Sequence, residues 1–261
     1  MAETNLLLIQ EKEGIAWLTL NRPEFHNAIN RDMLLQLSSV LDSIRTSSTI
    51  KAVIFTGAGD KSFSAGADIK YLHQASPLEA RELALLAVSV NNKIETLGKL
   101  IVAAINGYAL GGGLELAEAC TLRVAASHAM MGHPEVKIGA VAGWGGITRL
   151  PRLIGKGRAA EILLTGRLVN AEEALQIGLL NKVVESENLY NATENLVNEI
   201  LSMAPLSTKL TWEALHRGLA MTPEESALLG ADYFGLIASS QDFREGTKAF
   251  MAKTKPSYLG R

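Results

Sequence analysis

The sequence predicts a layered α/β fold that ends in an all-helical region. Short apolar runs alternate with longer amphipathic stretches through the first two thirds of the chain, which is the pattern of strands covered by helices. Beyond Pro205 the pattern is helical only. Of 261 residues, 48% are hydrophobic and 20% charged, a balance that lets about 70% of the extended chain's surface be buried and excludes intrinsic disorder.

Each element has its own signal. Residues 6–10 and 15–20 are apolar runs flanking Glu13-Gly14 and read as a hairpin, and Asn21-Arg22-Pro23 ends the second strand as a turn. From an Asn30 cap, Met33, Leu34, Leu37, Val40, Leu41 and Ile44 recur at helical spacing, so residues 31–45 form a helix with one buried face. A strand at 52–56 runs into a glycine- and serine-rich loop, 57–66, and then a helical region over about 77–97. Residues 100–105 are a third core strand, Asn106-Gly107 a turn, and Gly111-Gly112-Gly113 opens a helix. A strand at about 122–125 precedes a second irregular region, 139–146. Helices are expected over 157–165 and 171–177, the latter with Asn170 as cap and Gly178 past its end. Thr222-Pro223-Glu224-Glu225 places a capping residue, a first-turn proline and a reciprocal glutamate in order. These signals divide the chain into an α/β core, 1–200, and a helical subdomain, 201–261.

Composition removes several classes of function. Lys and Arg number 25 against 27 Asp and Glu, a formal net charge of −2, so nothing suggests nucleic acid or an anionic membrane as partner. The single cysteine, Cys120, excludes an intrachain disulfide framework and a zinc cluster built on cysteine pairs. Met1-Ala2-Glu3-Thr4-Asn5 lacks the basic segment of a targeting peptide, and a cytoplasmic setting is expected. Residues 100–119 are apolar enough to suggest a membrane span but carry Asn106, Glu115 and Glu118, which argues for a buried strand and helix.

Three loops carry candidate chemistry. Phe63-Ser64-Ala65-Gly66-Ala67-Asp68-Ile69-Lys70 is a small-residue turn where backbone can approach a ligand, or simply a tight loop capped by Asp68. The glycine triplet before Glu115 offers unpaired N–H groups at a helix N-terminus, a place for developing negative charge, or close packing of helix on strand. Its spacing fits neither a dinucleotide fingerprint nor a phosphate loop. Glu115 stands in an apolar stretch, where a carboxylate needs a partner or a function, whereas Glu118 reads as a solvated first-turn acid. In Met131-Gly132-His133-Pro134-Glu135 the His-x-Glu triplet lacks the Cys half of a deaminase zinc signature. His133 therefore reads as a pocket wall or surface residue, and no metal site is expected.

Taken together, the sequence resembles the enoyl-CoA hydratase (crotonase) family over essentially its full length. The resemblance rests on Asn21-Arg22-Pro23 with Asn27-Ala28, Ser64-Ala65-Gly66-Ala67-Asp68, Asn106-Gly107-Tyr108-Ala109-Leu110-Gly111-Gly112-Gly113-x-Glu115, and Pro134-Glu135 followed by Gly143-x-Gly145-Gly146-x-x-Arg149-Leu150. The resemblance implies a crotonase-like spiral of ββα units, with a helical C-terminal region that builds homotrimers, commonly paired into hexamers. It implies hydration of a trans-2-enoyl-CoA, with Glu115 activating water, Glu135 delivering a proton, and the backbone N–H groups of Ala67 and Gly112 forming an oxyanion hole. Gly143 matches the glycine whose backbone helps hold the water. Phe25, His26, Ala65, Asp68, Ile69, Lys70, Phe234 and Lys253 match positions that contact the CoA portion, Lys253 from a neighbouring subunit. CoA enters as part of the substrate, and no separate cofactor is implied.

The chain also departs from the family pattern. Ala142 stands where a proline is usual, His133 replaces a polar amide, Trp144 is bulky beside the acyl pocket, and Thr121 replaces an Asp. These departures keep two alternatives open on the same scaffold: an enoyl-CoA isomerase and a hydratase for a cyclic dienoyl-CoA. A third reading, from a branch of the family that binds RNA, is opposed by the charge of −2 and the lack of a lysine-rich helix.

Overall fold

The computed structural model describes residues 5–261; the first four residues, read above for a targeting signal, lie outside that range. Strands β1 (Leu7–Lys12) and β2 (Ile15–Leu20) pair antiparallel, Leu7 opposite Leu20. Glu13 and Gly14 both take positive φ, 52° and 80°, the backbone that lets a two-residue turn match the strand twist. Helix α1 (Arg31–Thr46) starts where the side chain of Asn30 accepts from the Met33 N–H at 2.9 Å, and it buries Met33, Leu34, Leu37, Leu41 and Ile44.

From there the chain repeats one theme. β3 (Ala52–Gly57) is followed by a short strand β4 (Ser62–Ser64) and helices α2 (Ile69–Gln74) and α3 (Pro77–Glu95). β5 (Leu100–Ile105) is followed by β6 (Tyr108–Leu110) and α4 (Gly112–Ala119), and β7 (Leu122–Ala126) by β8 (Met130–Gly132), a 3-10 turn at Pro134–Ile138, and helices α5 (Gly146–Ile154) and α6 (Lys156–Thr165). The next elements are β9 (Leu168–Asn170), α7 (Ala171–Gln176), β10 (Lys182–Val184) and α8 (Leu189–Leu201). The longer strands and the three-residue β10 form one six-stranded sheet in the order β1-β2-β3-β5-β7-β10, and the other short strands a second sheet in the order β4-β6-β8-β9. The units beginning at β3, β5 and β7 thus each contribute one strand to each sheet before their helices. In the first sheet every pairing but β1 with β2 is parallel. β3 is buried along its whole length, as a parallel strand covered on both faces must be, hence its unbroken apolar run.

The structure corrects the sequence reading in places. The loop expected over 57–66 contains β4, and the Asn106-Gly107 turn leads at once into β6. β4, β6, β8, β9 and β10 each have three residues, too few to show an alternation, and they owe their extended state to distant neighbours. Helices α2, α5 and α8 were also not anticipated. α5 begins on Gly146 and contains Pro151, two residues that ordinarily argue against a helix.

Two compact units divide the chain, one ending at Glu194 and one spanning Asn195–Arg261. The second contains α9 (Pro205–Gly218), α10 (Pro223–Ala238) and α11 (Gln241–Ala252). Thr222 and Glu225 form the reciprocal cap read from the sequence. Buried Asp242 accepts from the Leu259 and Gly260 N–H groups at 2.7 and 2.8 Å, tying the C-terminal residues to α11. Among the described residues, no helix is long and apolar enough to cross a membrane.

Candidate active site

Two chain segments meet at the N-terminus of α4. Ile29 donates to the Gly66 carbonyl at 2.7 Å and accepts from the Asp68 N–H at 3.0 Å, an isolated parallel bridge that turns the Ala67 N–H the opposite way. Gly66 has φ +95°, and a Cβ there would lie 2.7 Å from the Leu110 carbonyl oxygen and 3.2 Å from the Gly112 nitrogen. Only glycine permits that approach, and it sets the Ala67 and Gly112 amides beside one another. Neither donates to a protein acceptor among the described residues. Gly112 is the first residue of α4, so its N–H lies at the positive end of the helix dipole.

Glu115, one turn into α4, is 1% exposed. Its Oε1 accepts from the backbone N–H groups of Trp144 and Gly146, both at 2.7 Å. The loop supplying those donors is clamped from α3. Asn91 Nδ2 and Arg149 Nη1 both donate to the Trp144 carbonyl, at 3.1 and 3.2 Å. Arg149 Nη2 donates to Asn92 Oδ1 at 2.9 Å and to Glu95 Oε2 at 2.7 Å. Burial pushes the Glu115 carboxyl up from 4.5 to about 7, because the Gly146 amide and the charge of His133 offset the lost hydration only in part.

Glu135, in the 3-10 turn after β8, approaches the same helix end: a Cβ on Gly111 would stand 2.9 Å from its Oε1. A Cβ on Gly146 would stand 3.1 Å from Glu115 Cγ and 2.7 Å from His133 Cε1. The two carboxylates therefore flank the N-terminal turn of α4, with the His133 ring beside both.

Two expectations are corrected here. Glu118 is not a solvated acid: it is 4% exposed, and its Oε1 lies 2.9 Å from His133 Nε2. Of the two readings of His133, pocket wall or surface residue, the second is excluded: it is fully buried, and its other ring nitrogen, Nδ1, lies 3.6 Å from Glu135 Oε1. Burial alone would push the imidazole down, but the charges and hydrogen bonds of Glu118 and Glu135 outweigh it and raise it to about 10. Helical spacing cannot separate a buried from a solvated acid three residues after Glu115 when the whole helix is enclosed, as α4 is. Cys120 is also buried, and burial pushes its thiol up to about 12, so it is chemically quiet.

A second cluster lies beside Ala67. Phe25 carries the Arg22 guanidinium 4.7 Å and the Lys70 ammonium 5.5 Å from its ring centre. Asp68 caps α2, accepting from the Lys70 N–H at 3.1 Å, and both terminal nitrogens of Arg22 donate to its other oxygen at 3.1 Å. The Ala65 N–H donates to the His26 carbonyl at 2.9 Å, and Ile69 is exposed. Six residues of the proposed CoA set (Phe25, His26, Ala65, Asp68, Ile69 and Lys70) are thus neighbours. Phe234 and Lys253 belong to the second unit, where both are exposed. Gly143 is exposed in the loop whose next residue, Trp144, binds Glu115. The sequence reading gave no role to Arg22, Asn91, Asn92, Glu95 or Arg149. Arg22 and Arg149 sit inside the quoted motifs, whereas the α3 residues carry no local signal.

Against known proteins, the enoyl-CoA hydratase/isomerase family matches residues 10–261. A crotonyl-CoA hydratase of Syntrophomonas wolfei subsp. wolfei is 41% identical over 261 residues, 100% of both chains. A short-chain-enoyl-CoA hydratase of Clostridium acetobutylicum is 42% identical over 249 residues, 95% of each. The crystal structure of an enoyl-CoA hydratase from Bacillus anthracis has a TM-score of 0.94 at 33% identity, covering 98% of this chain and 100% of that one. With the crotonase fold and the family's motifs in one place, the chain belongs to the enoyl-CoA hydratase/isomerase family.

Proposed function

We propose that the protein is a short-chain enoyl-CoA hydratase, adding water reversibly and syn across the double bond of a trans-2-enoyl-CoA to give a 3-hydroxyacyl-CoA. The observation that carries this reading is the pair Glu115 and Glu135 at one helix end, beside the unpaired amides of Ala67 and Gly112. The thioester oxygen accepts from those two N–H groups. As hydroxide adds to C3, charge develops on that oxygen, and each amide contributes about 3 kcal/mol to its stabilisation. Glu115, raised to about 7, takes the proton of a water that the Gly143 backbone helps to hold, and Glu135 gives a proton to C2. A base titrating near neutrality is matched to its task. The pair ends with its proton moved from Glu135 to Glu115, and exchange with solvent resets it.

The substrate's nucleotide end lies on Phe25, His26, Ala65, Asp68, Ile69 and Lys70, where an aromatic ring and two cations suit adenine and phosphate. Phe234 and Lys253 belong to the same proposed CoA set, Lys253 from a neighbouring subunit, and the assembly is a homotrimer that pairs into a hexamer. The setting is cytoplasmic, and no metal or separate cofactor takes part. The names of the relatives, crotonyl-CoA and short-chain-enoyl-CoA hydratase, favour a short acyl chain.

The test is incubation with crotonyl-CoA, following the loss of conjugated enoyl-thioester absorbance and the product mass. Rapid loss with the gain of one water is expected. No loss with crotonyl-CoA, together with turnover of a 3-enoyl or cyclic dienoyl thioester, would overturn the reading in favour of those reactions.

A further inference from the structure

Beside the two glutamates lies a third buried carboxylate that the hydration scheme does not use. The Glu118 side chain is 0% and the His133 side chain 1% exposed, and the bond between Oε1 and Nε2 is 2.9 Å, the length of a charge-assisted contact. Each ring nitrogen of His133 faces a carboxyl group: Nε2 faces Glu118, and Nδ1, which has no hydrogen-bond partner among the described residues, faces Glu135 Oε1 at 3.6 Å. A neutral imidazole has one N–H and one lone pair, so it would turn that lone pair on one of the two acceptor oxygens, Glu118 Oε1 or Glu135 Oε1, the latter an acceptor also when Oε2 carries the proton. Only the imidazolium presents a donor to both.

We propose that His133, kept as an imidazolium by Glu118, is a positioning residue that holds Glu135 by Oε1 and so leaves Oε2 as the oxygen that carries the reacting proton. This rests on the hydratase reading above. The distance of 3.6 Å is longer than a hydrogen bond, and contacts of this kind tighten when substrate closes the site. Glu135 Oε2 is buried with no hydrogen-bond partner among the described residues, as required of a group whose partner is the substrate carbon. The titratable groups around the imidazole are Glu115 and Glu118 from α4 and Glu135 from the 3-10 turn, with Arg123 of β7 near Glu118. One imidazolium among three carboxyl groups lowers the cost of enclosing them together.

The proposal separates from a merely structural role by its pH signature. In the resting protein with isotope-labelled histidine, the His133 imidazole is expected to carry both ring protons up to pH 8.5. In Glu118→Gln it is expected to lose one below pH 8. That variant should also hydrate crotonyl-CoA with kcat reduced at least about tenfold at pH 8.5, with KM within about twofold, and with the loss shrinking toward pH 6 as the imidazole recharges. His133→Gln retains an uncharged donor toward Glu135, and its kcat relative to the parent enzyme should be constant over that range. A parent imidazole that is neutral at pH 8, or a Glu118→Gln deficit that does not change with pH, would overturn the proposal. Failure of the parent protein to hydrate crotonyl-CoA would instead refute the hydratase reading, and the resonance titration would still decide the charge of His133.

Discussion

Glu115→Gln should slow the enzyme and stabilise the protein, and both effects can be worked out from the site. The carboxyl is enclosed and raised from 4.5 to about 7. Because the folded-state value lies above that of the unfolded chain, the stability linked to the neutral acid is fully present below pH 4.5 and is lost as pH rises through about 7. The interval corresponds to roughly 3 kcal/mol. Glutamine keeps an oxygen to accept from the Trp144 and Gly146 N–H groups but never ionises. At pH 8 the variant should therefore be more stable than the parent by up to about 3 kcal/mol, and at pH 4.5 equal to it. Catalysis runs the other way. The base must be ionised, so kcat/KM of the parent should fall tenfold per pH unit well below about 7. Loss of the base should lower kcat by about 10³ at pH 8. Denaturant midpoints at pH 4.5 and 8, with crotonyl-CoA hydration at each, provide the assay. A variant less stable than the parent at pH 8, or a parent rate that is flat down to pH 5, would refute the argument that burial dominates this carboxyl.

Gly112→Ala places a Cβ 2.5 Å from two ring carbons of Trp144, so the first turn of α4 must move. A loss of about 10²-fold in kcat, with a destabilisation of about 1–3 kcal/mol, is expected from kinetics and thermal melting. Unchanged kinetics would show that the Gly112 amide is not used. Arg149→Met removes the clamp between the Trp144 carbonyl, Asn92 and Glu95 and leaves Glu95 without its cation. Stability should fall by about 3 kcal/mol, and the acid limb of the rate profile should move as the Glu115 donors loosen; a rate profile superimposable on the parent's would sink that link.

The residues legible in the sequence are those whose role is written locally. The Asn30 cap, the Thr222 capping box and the apolar stripe of α1 each declare themselves within one or two turns, because the physics that sets them is short in range. The glycine triplet and Glu115 were legible for a related reason: a charge in an apolar run has no bland explanation. The missed features are all matters of distance along the chain. β4 exists because Tyr108 lies beside Ser62, and the loop that binds Glu115 is held by Asn91 and Asn92, more than fifty residues away. Glu118 makes the point most sharply. Read within its own helix it is an acid one residue from the last, at an end where solvent would ordinarily satisfy it. Its meaning comes from His133, fifteen residues later and on another element. Each residue alone has an ordinary explanation, and only their juxtaposition turns two unremarkable side chains into a buried charge pair aimed at Glu135. A site assembled from several loops keeps its charges at the intersections, so a polar residue enclosed there is best judged by the residue it faces.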